Sequence, residues 1–356
     1  MKILLDIGHP AEFHFFRNFI KIMTENGHDL FITVRNKDCN IELLNEFGFN
    51  YVIRGKGTAN IIGKLFYIFK ADNQLYKIAK KYQPDIFVSF SSPYCAHVSR
   101  FFGKPHIAFN DTEHSTLLRL SYWPFSDVVI TPDSYNETRG KKHIKFQGYK
   151  ELSYLHKNFF TPDPNIYKLL GLKENEKFVI VRFISWNALH DIGHKGLSLY
   201  DKIYLVKNLL KYAKVFISSE EEIPDEIKRY KINIPASRMH DALAFASLYV
   251  GEGASMAAES AVLGTPAIYN YMQFGYLKEL EEKYGLVFNY KKVNDIIAKS
   301  QELLTNEDTN ANWQIKRYKM LEEKIDVTAF MVWFVENYPE SIKVMKEDPN
   351  YQKRFL

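Results

Sequence analysis

The sequence predicts an α/β protein of two doubly wound, Rossmann-like domains facing a central cleft, with a C-terminal helix crossing back to the N-terminal domain. Three observations predict it. Short apolar strands alternate with helical patterns over residues 1–150, a proline-marked stretch stops that rhythm, and the same rhythm resumes over residues 165–310. The remainder, residues 311–356, reads as a returning helix and tail.

Element by element, Lys2 to Asp6 is a strand that runs into "GHP", and Glu12 to Glu25 is a helix with Phe13, Phe16, Ile20 and Met23 on one face. The strands "DLFITV", "YVIR", "DIFVSF", "PHIAF" and "DVVIT" follow, most of them separated by helical patterns. Strands apolar on both faces, with helices between them, imply a parallel sheet covered on both sides. The segment "FQGYKELSYLHKNFFTPDP", ending in two prolines, reads as a linker near Gly148 to Pro164. Beyond it "FVIVRF", "KVFIS", "LYVGE" and "PAIYN" are the strands of the second domain. Finally "NWQIKRYKMLEEKIDVTAFMVWFVENYPE" reads as one long helical pattern.

Composition excludes several classes. With 356 residues, 46% hydrophobic and 25% charged, the chain is globular and large enough for two ordinary domains. The net charge of +5 comes without a basic run, so nucleic acid is not an expected partner, while anionic small molecules are compatible. The two cysteines, Cys39 and Cys95, have no metal-type spacing and suit a reducing compartment. The chain opens directly on a strand, so no signal peptide is expected, and no apolar run reaches about 18 residues. The expected location is cytoplasmic, with peripheral attachment at the inner face of the membrane as the alternative. That alternative rests on "IIGKLFYIFKADNQLYKIAKKY", where Ile61, Ile62, Leu65, Phe66 and Phe69 lie near Lys56, Lys64 and Lys70. Such a basic amphipathic face suits anionic lipid, or simply covers a sheet.

The segment "GEGASMAAESAVLGTPAIY", Gly251 to Tyr269, carries the chemistry. It reads as the end of a strand, a glycine loop, a short helix of small residues stopped by Gly264, and another strand. Gly253 lets the backbone approach a ligand, and the helix's first N–H groups, with a dipole worth roughly half a positive charge, make an anion site. Ser255 is expected at the N-cap, with the amides of Met256 and Ala257 behind it, and the diphosphate of a nucleotide is the fitting occupant. Glu259, one turn on, would accept hydrogen bonds from a ribose. The plainer alternative is a tight turn with Ser255 as a structural cap.

The pattern "GEG-S-MAAE-A-LGTP" in a second doubly wound domain resembles the nucleotide-sugar motif of GT-B fold enzymes, which include the peptidoglycan N-acetylglucosaminyltransferase and the non-hydrolysing UDP-GlcNAc 2-epimerases. Together with "DIGHPAEFHFFRN", "AFNDTEH", "QGYKELSYLH" and "RFISWNALHD", it is similar to a family of archaeal and bacterial glycosyltransferase-like proteins without a settled reaction, over about residues 1–335. The resemblance implies that Ser255, Met256 and Ala257 hold the diphosphate, that Glu259 holds the ribose and that Arg238 borders the base. Arg182 and Ser185, ending the first strand of the second domain, would face the cleft. Arg182 suits a phosphate clamp because guanidinium offers paired donors, or else it is half of a surface ion pair.

The loop "GHPAEFHFF" supplies the other half of the expected cleft. Gly8 and Pro10 make its turn, and His9, Glu12 and His14 are its polar groups. His14, off the apolar helix face, is a candidate base toward an acceptor hydroxyl, or a solvent-facing histidine. Asp111, Glu113 and His114 lie just past the strand "PHIAF". Asp111 or Glu113 would replace His14 as the base, or would cap the next helix. In "WNALHDIGHKG", His190 and Asp191 are expected to line the substrate. Zinc is not expected there, since Gly193 and Gly196 argue against a helix that would align His190, Asp191 and His194.

The expected function is a metal-independent glycosyltransferase using a nucleotide-activated sugar, UDP-linked, as substrate, with no cofactor and with a glycan or lipid-linked acceptor. An epimerase-like enzyme is the alternative. Three departures weigh against it: the epimerase loop G-T-R-P-E is here "GHPAE" without its arginine, H-x-E-A-G-x-R survives only as "HIAFNDTEH", and the Gln-Glu-Glu of the nucleotide loop is "MAAE". A non-catalytic nucleotide-sugar-binding protein is the third possibility.

Overall fold

The computed structural model describes the chain except residues 38, 56–60, 114, 138, 186–195 and 271–274, and the side chains of 61–66. It divides into two compact units, one of Met1–His156 with Lys324–Leu356, the other of Lys157–Glu323. The first unit runs β1 (Lys2–Ile7), α1 (Pro10–Glu25), β2 (Asp29–Val34), α2 (Asn40–Glu46), β3 (Val52–Ile53), α3 (Ile61–Tyr82) and β4 (Ile86–Phe90). It continues through α4 (Pro93–Phe101), β5 (His106–Phe109), α5 (Thr116–Tyr122), β6 (Val128–Pro132), β7 (His143–Phe146) and α6 (Leu152–Leu155). The second unit runs α7 (Ile166–Leu169), β8 (Phe178–Phe183), α8 (Leu199–Leu209), β9 (Lys214–Ser219), α9 (Met239–Phe245), β10 (Leu248–Gly251) and α10 (Ala254–Leu263). It closes with β11 (Ala267–Tyr269), α11 (Gly275–Glu282), β12 (Val287–Asn289), α12 (Val293–Thr305) and α13 (Thr309–Glu323). The chain then returns to the first unit as α14 (Val327–Glu336) and α15 (Glu340–Glu347).

Both sheets are parallel. The first has seven strands in the order β3-β2-β1-β4-β5-β6-β7, and the second has five in the order β12-β11-β10-β8-β9. Strands β7 and β12, which the sequence pattern did not single out, extend one edge of each sheet; "HIKF" and "VFN" are short and interrupted by polar residues. In each sheet the strand order reverses once, between β1 and β4 in the first and between β8 and β10 in the second. At such a point the loops leaving two neighbouring strands diverge, and a crevice opens at their carboxyl ends.

A buried carboxylate organises that point in the first unit. Asp6, fully buried in β1, accepts from Thr33 Oγ1 of β2 at 2.7 Å, from Arg54 Nε just past β3 at 2.6 Å and from Ser92 Oγ at the start of α4 at 2.5 Å. Ser92 also caps α4. One side chain thus ties the carboxyl ends of four neighbouring strands. Arg54 lies 4.4 Å above the Tyr94 ring and donates to Tyr67 Oη at 3.0 Å.

The single C-terminal helix expected from the sequence is two helices, because its halves dock on different surfaces. Arg317 and Gln314 of α13 reach the carbonyls of Val262 and Gly264, at 2.7 and 3.3 Å, where α10 ends in the left-handed glycine that the sequence marked as its stop. Asp326 then starts a new helix by accepting from the Ala329 amide. Helix α14 packs on α1 and α6, with Thr328 Oγ1 on the Ser153 carbonyl at 2.7 Å. Gly148 lies so close to Val327 that a Cβ there would sit 2.8 Å from its methyl. The first part of the expected linker is therefore core: Leu152, Tyr154 and Leu155 are buried, and the first unit extends through His156.

Replacing Asp6 with Ala leaves the Arg54 guanidinium buried without its carboxylate. The expected cost is about 3–5 kcal/mol of unfolding free energy, measured by urea denaturation.

Candidate functional site

In the second unit the reversal point is built from the end of β8 and the end of β10, which lie side by side with Gly251 opposite Arg182. A Cβ on Gly251 would meet the Arg182 carbonyl at 2.6 Å, and one on Gly253 would meet Arg182 Cγ at 3.1 Å. The two bare glycines are what let the arginine stem cross the end of β10. Tyr249 Oη donates to the Gly253 carbonyl at 2.9 Å and fixes the turn.

Helix α10 follows at once. Its N-cap is Gly253, with no side-chain cap bond, so Ser255 sits inside the first turn and not at the cap as expected. The Ala257 amide already donates to the Gly253 carbonyl at 3.1 Å, which removes it from the expected anion cradle. The amides of Ala254, Ser255 and Met256 precede that first intrahelical bond and constitute the positive end of the helix. Ser255 and Met256 are half-buried, beside the Arg182 stem that crosses Gly253.

Arg182 is also the ion-pair residue of the plainer alternative. Its guanidinium donates to Ser218 Oγ at 2.7 Å and to Glu220 Oε1, while Glu220 Oε2 accepts from the Ser185 amide and hydroxyl, both at 3.2 Å. Arg182 and Ser185 are therefore brought together, by a carboxylate that the sequence reading overlooked. Glu252 is the second overlooked group. Nearly fully buried, it accepts from the Ile184 amide at 3.2 Å and the Leu197 amide at 2.7 Å, and burial raises its pKa. It pins both flanks of the segment that carries His190 and Asp191, which themselves lie outside the described residues.

Two further donor-side residues have partners within the second unit. Glu259 is buried on the side of α10 that packs on α9, where Oε1 meets His240 Nε2 at 3.2 Å. Arg238 does open α9, but it is tied to Asp163 at 2.7 Å and Asp241 at 3.1 Å, an internal brace of its own.

In the first unit the reversal point lies between β1 and β4. His9 caps α1 by accepting from the Ala11 amide at 3.2 Å, and Glu12 Oε2 accepts from the Gly8 amide at 2.6 Å. A Cβ on Gly8 would meet the Glu12 carboxyl at 3.3 Å and Arg54 Nη2 at 3.6 Å, so glycine admits both groups to the backbone. Burial pushes the Glu12 carboxyl up to about 8, reinforced by the charge of Asp6 and opposed by the Gly8 amide and Arg54.

The bases expected from sequence are all engaged elsewhere. His14 is buried, with Arg17 Nη1 at 3.3 Å from its Nδ1 and the Tyr154 ring 5.4 Å away, so the solvent-facing alternative does not hold. It faces α6, whose hydrophobic residues the linker reading had hidden. Asp111 pairs with Lys150 at 2.6 Å. Glu113 accepts from the Asn136 amide and side chain at 2.9 and 2.8 Å, and His114 lies outside the described residues. An acid inside the apolar strand "KILLDI" was the available signal for Asp6; Arg54 offered none beyond its place after a strand. Among the described residues no group of three or more His, Cys, Asp or Glu side chains is placed to hold a metal ion.

The family model described as "Protein of unknown function (DUF354)" matches residues 1–339. An uncharacterized protein, MJ0665 of Methanocaldococcus jannaschii, is 24% identical over 334 residues, covering 86% of this chain and 95% of its own. Among solved structures, the S. aureus MnaA–UDP complex aligns with a TM-score of 0.71 at 10% identity, over 96% of this chain and 98% of its own. The Streptomyces sp. SF2575 glycosyltransferase SsfS6, complexed with thymidine diphosphate, aligns with a TM-score of 0.60 at 12% identity, over 93% and 99%. Glycosyltransferases and UDP-N-acetylglucosamine 2-epimerases both recur among the similar structures, which establishes the two-domain GT-B fold.

Because its carboxyl is raised from 4.5 to about 8, Glu12 binds a proton more tightly in the folded chain than in the unfolded one. Its contribution to stability is full below the ordinary value and is lost as pH rises through about 8. The unfolding free energy of the wild type relative to Glu12→Gln should therefore fall between pH 4.5 and 8, measured by urea titration at several pH values.

Proposed function

We propose that this chain, which belongs to the DUF354 family of proteins of unknown function, is a metal-independent glycosyltransferase that uses a UDP-linked sugar in cell-surface polysaccharide or glycolipid synthesis. One observation carries the reading: the Arg182 stem crosses Gly251 and Gly253 beside the free amides that open α10, at the strand reversal of the second unit. Backbone donors, a helix dipole and a guanidinium at one crevice fit the two charges of a diphosphate. The same groups would stabilise the negative charge that develops as the diphosphate leaves, without a metal. Arg182 would exchange Glu220 for phosphate on binding, with Ser185 released from the same carboxylate.

For the proton of the acceptor hydroxyl we assign Glu12. His14, Asp111 and Glu113 each face a partner side chain, whereas Glu12 stands in the turn at the strand reversal, where it accepts from the Gly8 amide and its carboxyl is raised to about 8. In the reaction the acceptor oxygen attacks the anomeric carbon, its proton passes to the Glu12 carboxylate, and the bond to the diphosphate oxygen breaks. The fold of the UDP-N-acetylglucosamine 2-epimerases supports a second reading, elimination and re-addition of UDP at one sugar.

Ser255→Trp should abolish UDP binding in titration calorimetry with the fold intact by circular dichroism; unchanged affinity would place the nucleotide elsewhere. Incubation with UDP- and dTDP-sugars and NMR detection separates the reactions. Sugar transfer or release supports the transferase, C2 exchange without acceptor supports the epimerase, and binding without either supports a non-catalytic protein. Transfer should rise with pH to a plateau above about 8, and Glu12→Gln should lower kcat by about 10²–10⁴-fold while UDP affinity stays unchanged.

A further inference from the structure

Right-handed crossovers place α1 and α2 on one face of the first sheet and α3, α4 and α5 on the other. The first face is covered, since α14 and α6 pack on α1. On the second, α3 packs against α4 and α4 against α5, and the layer they form is studded with large apolar side chains in solvent. Phe69 of α3 is 74% exposed, Phe101 of α4 79%, and Leu117 and Leu120 of α5 72% and 60%. Tyr76, Leu118 and Phe125 are exposed beside them, and Tyr76 stands 6.2 Å from the Phe101 ring, which joins α3 to α4 across the surface. His97 braces the layer from beneath, bonded to Asp72 of α3 at 3.0 Å and to the Ser121 carbonyl of α5 at 2.9 Å.

The charge on these helices has one sign. From Tyr67 to the end of α5 they carry Lys70, Lys77, Lys80, Lys81, Arg100 and Arg119 against a single acid, Asp72, which His97 already holds. Beyond the helices, Asp127 lies 3.9 Å from Arg100.

We propose that the α3–α4–α5 face is a docking surface for an anionic lipid bilayer. Exposed phenylalanines and leucines would enter the boundary between headgroups and acyl chains, and the lysines would lay their stems on that boundary with their ammonium groups at lipid phosphates. A protein partner of ordinary type fits less well, because the core of such an interface is depleted in lysine, whereas here lysine and aromatic residues alternate along one helix. Attachment is peripheral: among the described residues no helix is long and apolar enough to cross a membrane. The proposal does not depend on the reaction assigned to the strand ends.

The test is co-sedimentation of the full chain with vesicles of phosphatidylcholine alone and of phosphatidylcholine with a quarter phosphatidylglycerol. Binding to the anionic vesicles, weakened by added salt, is expected. Leu117→Asp with Leu120→Asp, and separately Lys77→Glu with Lys80→Glu, should each lower the apparent partition coefficient at least tenfold. Should the apolar pair of substitutions unfold the protein, the charge pair decides. Binding no greater than to neutral vesicles, or binding indifferent to both pairs, overturns the proposal. So does sedimentation velocity in which the wild type is a dimer that Leu117→Asp dissociates without loss of vesicle binding.

Discussion

The first unit is held together at its functional end by one buried carboxylate. Asp6 takes hydrogen bonds from β2, from the arginine after β3 and from the serine that starts α4, so a single residue sets the spacing of the strand ends around the reversal point. A buried charge is tolerated when a guanidinium and two hydroxyls satisfy it, and it resists any movement that would leave either ion alone. The environment of Glu12 follows from that arrangement. Burial and the Asp6 charge act in the same direction on its carboxyl and push it up to about 8.

The second unit solves the same problem with a different distribution of charge. Its buried acid, Glu252, is bonded to backbone amides and anchors the loop after β8, while its cation, Arg182, is left half-buried across two glycines and held by the accessible Glu220. An arginine paired like Arg54 with a fully buried carboxylate cannot leave that partner without stranding a buried charge. One whose partner is a surface carboxylate can, because an exposed ion pair is worth only about 0–1 kcal/mol and is readily exchanged for phosphate. The contrast between the two arginines explains why we assign anion binding to the second unit and proton transfer to the first.

Much of the fold was legible because apolar periodicity is a local property. The parallel sheets, the short helix after Gly253 and its stop at Gly264 all follow from strand and cap signals within a dozen residues. The turns at Gly8 and Gly253 were legible because backbone geometry carries them, whereas the cap fell to Gly253 and not to Ser255, and what faces a side chain was less legible. His14 reads as exposed until Tyr154 is folded over it, and the His240 partner of Glu259 comes only with the packing of α9. The linker and the single C-terminal helix failed for a related reason. "ELSYL" has too short a pattern to declare itself core, and the break before Asp326 depends on two docking surfaces, one 50 to 55 and the other 175 residues away in sequence.

What the sequence determined alone was the class of the protein, its alternation of strands and helices, and the glycine turn that opens α10, because these depend on neighbours along the chain. The pairing of charges was decided only by tertiary structure. Asp6 with Arg54, Arg182 with Glu220 and Asp111 with Lys150 join residues 38 to 48 positions apart. Whether a titratable group is a brace or a reagent depends on which partner the fold brings within hydrogen-bond reach, and that distance is not written in any local stretch of sequence.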